Sequence, residues 1–311
     1  MMNRRSLLTA AASACVAGMA PAPLCAQAPR ERLALWPGAP PGGGGPSGPP
    51  RQTERGALAN VATPVLEVFA AARPNGAAAL VAGGGGYKRI EMAHEAYPAA
   101  QWLADQGIAA FVLTYRLPRE GWAAGPAAPL QDAQRALRLM RAQAGRRGLD
   151  PRRIGVMGFS AGGHLLGLAA ARSSFSSYSA LDAIDAGPAR ADFAALLYPV
   201  VTLKPPFDHT STRRVLIGDH PSPEASAEWS VETYVRGDCP PMFLAQADDD
   251  PISDPANTRI LEAACKSAGT PVELHRFAAG GHGFGLGRPD GPTKEWPDMC
   301  KNWMTRLAIL R

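Results

Sequence analysis

The segment of this 311-residue chain best suited to chemistry is Gly158-Phe159-Ser160-Ala161-Gly162. An apolar, β-prone run at 154–158 precedes it and a helix-forming run at 162–172 follows it. A serine at a sharp strand-to-helix turn sits in a strained backbone, so the residues two before and two after must be nearly free of side chain, and Gly158 and Gly162 meet that need. Such a turn raises the hydroxyl above the end of a sheet and aims the free N–H groups of a helix N-terminus at the same point. A serine hydroxyl is a weak nucleophile until a base removes its proton. The motif therefore predicts a histidine and a carboxylate elsewhere in the chain, following in the order serine, acid, histidine.

Six histidines compete for the role of base. His282 lies just after an apolar run at 272–277, in Gly280-Gly281-His282-Gly283-Phe284, where a mobile, glycine-flanked loop could swing an imidazole over Ser160. His275 lies inside that run and reads as structural, and His164, four residues past the serine, as a residue that caps or packs the helix. His94 precedes Ser160, and His209 and His220 lie in an irregular stretch. For the acid, the run at 242–246 leads into Asp248-Asp249-Asp250-Pro251, so three carboxylates crowd the end of one strand. One would accept the imidazole N–H; the other two are explained as turn formers or a helix N-cap. The run at 78–82 ends in Gly83-Gly84-Gly85-Gly86-Tyr87. Backbone N–H groups of such a loop, with that of Ala161, could hold a developing oxyanion. A phosphate-cradling loop is the rival reading, but the Lys-Ser/Thr pair of a P-loop is missing.

The elements that must position these groups alternate. Strand-like runs at 65–70, 78–82, 109–114, 154–158, 193–197, 242–246 and 272–277 are separated for the most part by helical stretches at 93–106, 130–147, 162–172 and 255–267, with a last helix at 293–310. In the second of these, Leu130, Ala133, Leu137 and Met140 form one stripe, and Arg135, Arg138 and Arg141 are expected to face away from it. Strands alternating with helices imply crossovers, hence an α/β fold with a mainly parallel central sheet and helices on both faces. Residues 36–50, rich in Gly and Pro, read as an irregular arm. The alternation lapses at about 199–238, a proline-rich insertion expected to form a small cap or rim near the site.

Residues 1–28 read as a twin-arginine-like export signal: Arg4 and Arg5, an apolar stretch, then Ala26-Gln27-Ala28. The expectation is a single domain over 29–311, located in the periplasm or secreted. With 46% hydrophobic and 19% charged residues the chain can build a substantial core. No apolar run after the N-terminus is long enough for stable membrane insertion. The net charge of +5 includes Arg4 and Arg5, and the remaining cations are dispersed among acids, which argues against nucleic acid as a partner. Cys239, Cys265 and Cys300 permit one disulfide and have no metal-site spacing.

Taken together, Leu35-Trp36-Pro37-Gly38, Gly84-Gly85-Gly86-Tyr87, Tyr115-Arg116-Leu117-Pro118, Asp150-Pro151-Arg152-Arg153-Ile154, Gly158 to His164 and Gly280 to Gly285 resemble α/β-hydrolase-fold esterases of the acetylxylan-esterase and feruloyl-esterase-like group, related to the hormone-sensitive-lipase group. The likeness extends over nearly all of the chain beyond the leader. It implies Ser160 as nucleophile, His282 as base, oxyanion donors at Gly85, Gly86 and Ala161, and, from the Asp-Pro-Ile setting, Asp250 as the acid. Gly83 departs from the histidine usual before the three glycines of the lipase-like group, and Gln246 stands where many relatives carry histidine. The implied activity is that of a serine carboxylesterase on short-chain acyl esters, including acetyl groups on plant-wall polysaccharide, with no metal or organic cofactor. A serine peptidase with the same three residues, or a non-catalytic carbohydrate-binding protein on this fold, are the alternatives. The first usually carries a large extra domain, and the second is expected to have lost one of the three.

Overall fold

The computed structural model describes residues 30–310. Its strands are β1 (Arg32–Ala34), β2 (Arg51–Gln52), β3 (Leu58–Ala59), β4 (Val65–Phe69), β5 (Ala78–Ala82), β6 (Ala109–Thr114), β7 (Ile154–Phe159), β8 (Ala194–Leu197), β9 (Met242–Ala247) and β10 (Val272–Phe277). Its α-helices are α1 (Tyr97–Asp105), α2 (Ala127–Gln143), α3 (Ser160–Ala171), α4 (Ser211–Ile217), α5 (Pro223–Glu228), α6 (Ala256–Ala268) and α7 (Trp296–Arg306). Eight strands form one sheet in the order β1-β4-β6-β5-β7-β8-β9-β10. From β6 to β10 all neighbours are parallel, while β4 pairs antiparallel with β6, and β1 with β4. Every residue of β5, β6, β7 and β9 is buried, which requires cover on both faces of the sheet. Strands that meet water on one face would alternate instead. β2 and β3 pair with each other as a separate short hairpin.

Local chemistry accounts for where the helices depart from the expected spans. The stretch expected as one helix over 93–106 is a π-helical turn, Met92–Ala96, leading into α1, whose second residue is Pro98. Proline suits a helix start, because the N–H it lacks would be unpaired there. A 3₁₀ turn, Pro292–Glu295, likewise precedes α7, which carries Pro297 in its first turn. α2 ends at Gln143, before Gly145.

Arg135, on the face of α2 away from the apolar stripe, does not meet solvent. Its side chain is almost fully buried and reaches Asp182 at 2.7 Å, Asp185 at 2.9 Å and the Leu35 carbonyl at 2.9 Å. The chain after α3 folds back over this face of α2, where Arg138 meets the Gly187 carbonyl and Arg141 pairs with Asp192. Helical periodicity marks a polar face but does not say whether that face meets water or a polar loop. Beside it, Arg116 and Asp132 form a wholly buried pair at 2.9 Å, joined by the Trp36 indole N–H at 2.8 Å. The Trp36 and Arg116 segments are thus tied together through α2, with donors and acceptors matched as a buried ion pair requires.

Cys239, Cys265 and Cys300 are buried free thiols, and burial pushes the Cys265 thiol up to about 12. The insertion at 199–238 carries α4, α5 and a 3₁₀ turn, Val231–Tyr234. The expected export signal at 1–28 lies outside the described residues. Among the described residues, no helix is long and apolar enough to cross a membrane.

Candidate active site

Ser160 follows β7 and opens α3 with a φ of 51°, a left-handed conformation that a residue bearing a side chain rarely adopts. The flanking glycines explain how that turn closes. A methyl group on Gly158 would run into the Gly162 carbonyl, and one on Gly162 into the carbonyls of Ala82 and Gly83. The strain persists because its surroundings over-determine it.

Strand register then decides which loops meet. Ala82 of β5 lies opposite Gly158 of β7, so the glycine run leaving β5 and the serine turn leaving β7 emerge side by side. At the edge of the sheet, beyond β8, Ala247 of β9 lies opposite Phe277 of β10, so the aspartate run and the histidine loop also emerge together. All four loops leave carboxyl ends of strands, the edge where sheets of this kind place their sites.

The Ser160 Oγ lies 2.8 Å from His282 Nε2, and His282 Nδ1 lies 2.8 Å from Asp250 Oδ2. Asp250 is shut off from solvent, whereas the His282 side chain keeps 17% of its surface exposed. The second Asp250 oxygen accepts the N–H groups of Ile252 and Ser253, and Gln246 Nε2 donates to Oδ2. The other two aspartates diverge. Asp249 accepts the Gly281 N–H at 2.7 Å, and Asp248 pairs with Arg276 at the surface. The His282 loop is also less free than a glycine-flanked loop implies: Gly281 is bonded to Asp249, the Gly283 carbonyl accepts from His94 Nε2 at 2.7 Å, and the Gly285 N–H is held by the Tyr198 hydroxyl.

Gly85 and Gly86 border the cleft beside Ser160, while Ala161 follows Ser160 in the first turn of α3. Gly84 faces away from that use, because its N–H is bonded to Glu95 at 2.6 Å. The cleft holds about 1060 Å³. Its walls add Arg55, Lys88, Arg89 and Glu91 from the hairpin and the glycine-loop side, and Thr210, Ser211 and Thr212 from the insertion.

Two histidines stand apart from the serine. His275 in β10 stacks on Phe243. His164 is buried in α3, where desolvation lowers its pKa to about 4 and keeps the ring neutral. With the proton on Nε2, directed at the Trp229 carbonyl, its Nδ1 accepts from the Tyr87 hydroxyl. The elbow helix is thereby bonded both to the glycine loop and to the insertion.

Sequence reasoning missed Glu95, Tyr198 and His94. One signal existed for Glu95: it lies four and eight residues before Ala99 and Leu103, so a carboxyl sits on an apolar helical stripe. Tyr198 carried no comparable signal, since a tyrosine at the end of an apolar strand reads as core.

The strand order, the serine turn between β7 and α3 and the loops converging at the carboxyl edge define an α/β-hydrolase fold. The chain belongs to the BD-FAE family, whose model matches residues 72–265. That span takes in Ser160 and Asp250 and ends before His282. Among solved structures, the chain resembles an acetyl ester-xyloside bifunctional hydrolase from Caldicellulosiruptor lactoaceticus, with a TM-score of 0.75 and 32% identity, covering 92% of this chain and 100% of that one. Among curated proteins, an acetylxylan esterase of Xylanibacter ruminicola is 31% identical over 224 residues, 70% of this chain and 43% of the relative. Endo-1,4-beta-xylanase B of Butyrivibrio fibrisolvens is 31% identical over 211 residues, 66% of this chain and 32% of the relative. The chain thus spans less than half the length of the curated relatives it matches.

Proposed function

We propose that the chain is a serine carboxylesterase that removes short acyl groups from hydroxyl-rich substrates, with acetylated plant-wall polysaccharide as the substrate class. The observation that carries the reading is the hydrogen-bonded series Ser160 Oγ, His282 Nε2, His282 Nδ1, Asp250 Oδ2, both links 2.8 Å. In this reading His282 takes the Ser160 proton as the oxygen attacks the ester carbonyl, and Asp250 orients the ring and stabilises the imidazolium. The N–H groups of Gly85, Gly86 and Ala161 receive the oxyanion. The C–O bond to the alcohol breaks as His282 returns the proton to it. Water, deprotonated by the same ring, then attacks the acyl-serine and frees the carboxylic acid and Ser160.

The walls of the cleft support a small acyl group and a polar alcohol. Among the described residues, Ala57, Val200 and Ile252 are the lining residues with apolar side chains, and the remainder are polar, charged or glycine. A long acyl chain gains about 0.8 kcal/mol per methylene only where apolar surface receives it. We therefore expect kcat/KM to fall from p-nitrophenyl acetate to the octanoate, and acetate to be released from acetylated xylan. A rising series, with no acetate from the polysaccharide, would replace this reading by a lipase-like one.

The insertion at 199–238 is proposed as the cap that forms one rim of the cleft, through Thr210, Ser211 and Thr212. The leader at 1–28 is proposed as an export signal, placing the mature chain in the periplasm or outside the cell. N-terminal sequencing of protein from its host should then read from near Pro29, and an intact leader on cytoplasmic protein would refute export.

A further inference from the structure

Two loops must hold their positions relative to each other if the proposed chemistry is to work: the glycine run that receives the oxyanion and the loop that carries His282. They leave strands on opposite sides of the serine turn, and β7, β8 and β9 lie between β5 and β10 in the sheet. One buried carboxyl is bonded toward both. Glu95 is 4% exposed, its Oε2 accepts the Gly84 N–H at 2.6 Å, and its Oε1 accepts the Tyr198 O–H at 3.0 Å. The Tyr198 oxygen in turn accepts the N–H of Gly285, three residues past His282, at 3.1 Å. The Tyr198 ring lies edge-on to the imidazole of His282 at 5.0 Å and to Phe284 at 4.4 Å.

Three further observations bear on the role. Gly84 backs directly onto the nucleophile, since a β-carbon there would lie 2.7 Å from Cβ of Ser160. The bond to its N–H anchors the start of the run, and the next two peptide groups, whose N–H groups are the proposed oxyanion donors, are held at their carbonyls by the N–H groups of Glu91 and Lys88. Tyr198, directly after β8, has a φ of 38°, a strained conformation for a tyrosine that places its hydroxyl between the two loops. Finally, the residue before Glu95 reaches the same loop, because His94 bonds the Gly283 carbonyl. Both residues lie in the π-helical turn Met92–Ala96. An extra residue in a helical turn shifts the side chains that follow, and such turns recur at functional sites.

A carboxyl buried for packing alone would be an expensive choice, because an apolar side chain of similar size incurs no desolvation cost. Here all its bonds run to the loops that carry the chemistry. We propose that Glu95 and Tyr198 form a positioning unit that ties the Gly83–Gly86 loop to the His282 loop, so that the oxyanion donors and the base keep one relative position. Glu95 borders the cleft, but its two oxygens are taken by the Gly84 N–H and the Tyr198 hydroxyl, so it acts through them rather than on the substrate. The inference rests on the acyl-transfer reading of Ser160 and His282.

The test uses Glu95→Gln, Tyr198→Phe and the double variant in the full chain, with circular dichroism as the check on folding. The amide of Glu95→Gln can still accept the Gly84 N–H, but its NH₂ then meets the Tyr198 hydroxyl as a donor, so that bond must reverse and the Tyr198 O–H loses its acceptor beside the His282 loop. The expected result is a fall in kcat of about 10²-fold, the scale of losing one oxyanion donor. KM for p-nitrophenyl acetate should stay within about threefold, and affinity for a trifluoromethyl ketone that mimics the tetrahedral adduct should fall in step with kcat. Tyr198→Phe cuts one link and should lower kcat about tenfold. In the double variant the losses should not multiply, because both act through one unit. A raised KM at unchanged kcat, multiplying losses, or lowered thermal stability with normal kcat would each overturn the proposal. If Glu95→Gln fails to fold, Tyr198→Phe decides alone, and normal kcat in it would overturn the proposal. Failure of the acyl-transfer reading itself is distinguishable, because the unmodified chain would then lack ester turnover.

Discussion

Ser160→Ala is expected to lower ester turnover by about 10⁶-fold, the scale seen when the nucleophile of such a triad is removed. The fold should survive, because the substitution keeps the β-carbon in the same left-handed turn and removes one oxygen. The Oγ is bonded to His282, a residue in a different loop, so its loss leaves the turn itself intact. Circular dichroism and the thermal midpoint should be nearly unchanged. A serine-directed organophosphate should add once to the wild type and not to the variant, with intact-mass and peptide mapping placing the adduct on Ser160. An adduct on another serine, or turnover within about tenfold of wild type in a folded Ser160→Ala protein, would remove the basis of the acyl-enzyme reading.

The second large effect is expected at Asp250→Asn, with a fall in turnover of about 10⁴-fold, as when a triad histidine is held in the wrong tautomer. The surroundings of Asp250 explain why an amide cannot substitute. Both carboxylate oxygens act as acceptors, one for His282 Nδ1 and Gln246 Nε2 and the other for the N–H groups of Ile252 and Ser253. An asparagine must turn its NH₂ toward one of these pairs. Facing His282, it would donate to Nδ1 and force the proton onto Nε2, where it blocks acceptance from Ser160. Facing the backbone pair, it would set donor against two donors and loosen the turn that carries the side chain. Asp249→Asn should behave differently, because its remaining oxygen can still accept the Gly281 N–H. We expect it to cost stability more than turnover. Asp248→Asn should change little of either, since it removes an exposed ion pair with Arg276 worth at most about 1 kcal/mol. Kinetics of the three folded variants decides the matter, and a near-normal Asp250→Asn beside a dead Asp249→Asn would move the acid one residue upstream.

The ease with which parts of this fold could be read from sequence follows from which interactions are local. The turn at Ser160 leaves a mark in sequence because its steric demand falls on residues two positions away, and only glycine meets it. Strands buried on both faces, such as β6 and β7, appear as unbroken apolar runs. The short strands β1, β2 and β3 carry too few residues to show any period. The burial of Arg135 leaves no local mark, because the chain that covers it comes from Asp182 and Asp185, almost fifty residues on. Glu95 and Tyr198 are a stronger case of the same kind, since 103 residues separate partners bonded through one hydroxyl. Among the three aspartates, alternation along the chain implies that neighbours point apart, but says nothing of which one meets the histidine loop. The positions of Gly281 and His282 relative to β9 supply that answer, and those are properties of strand pairing.

The bonds at Gly281, Gly283 and Gly285 have a further consequence. Glycines would ordinarily give the His282 loop a broad conformational ensemble, and gathering that ensemble into one reactive arrangement would oppose every turnover. Here alternate peptide groups of the loop are anchored by Asp249, His94 and Tyr198, so most of that entropy is lost when the chain folds. A ligand then has little organising to do on arrival. The acetyl esters proposed as substrates offer few atoms with which to do any, and a site already arranged before they bind is suited to molecules that small.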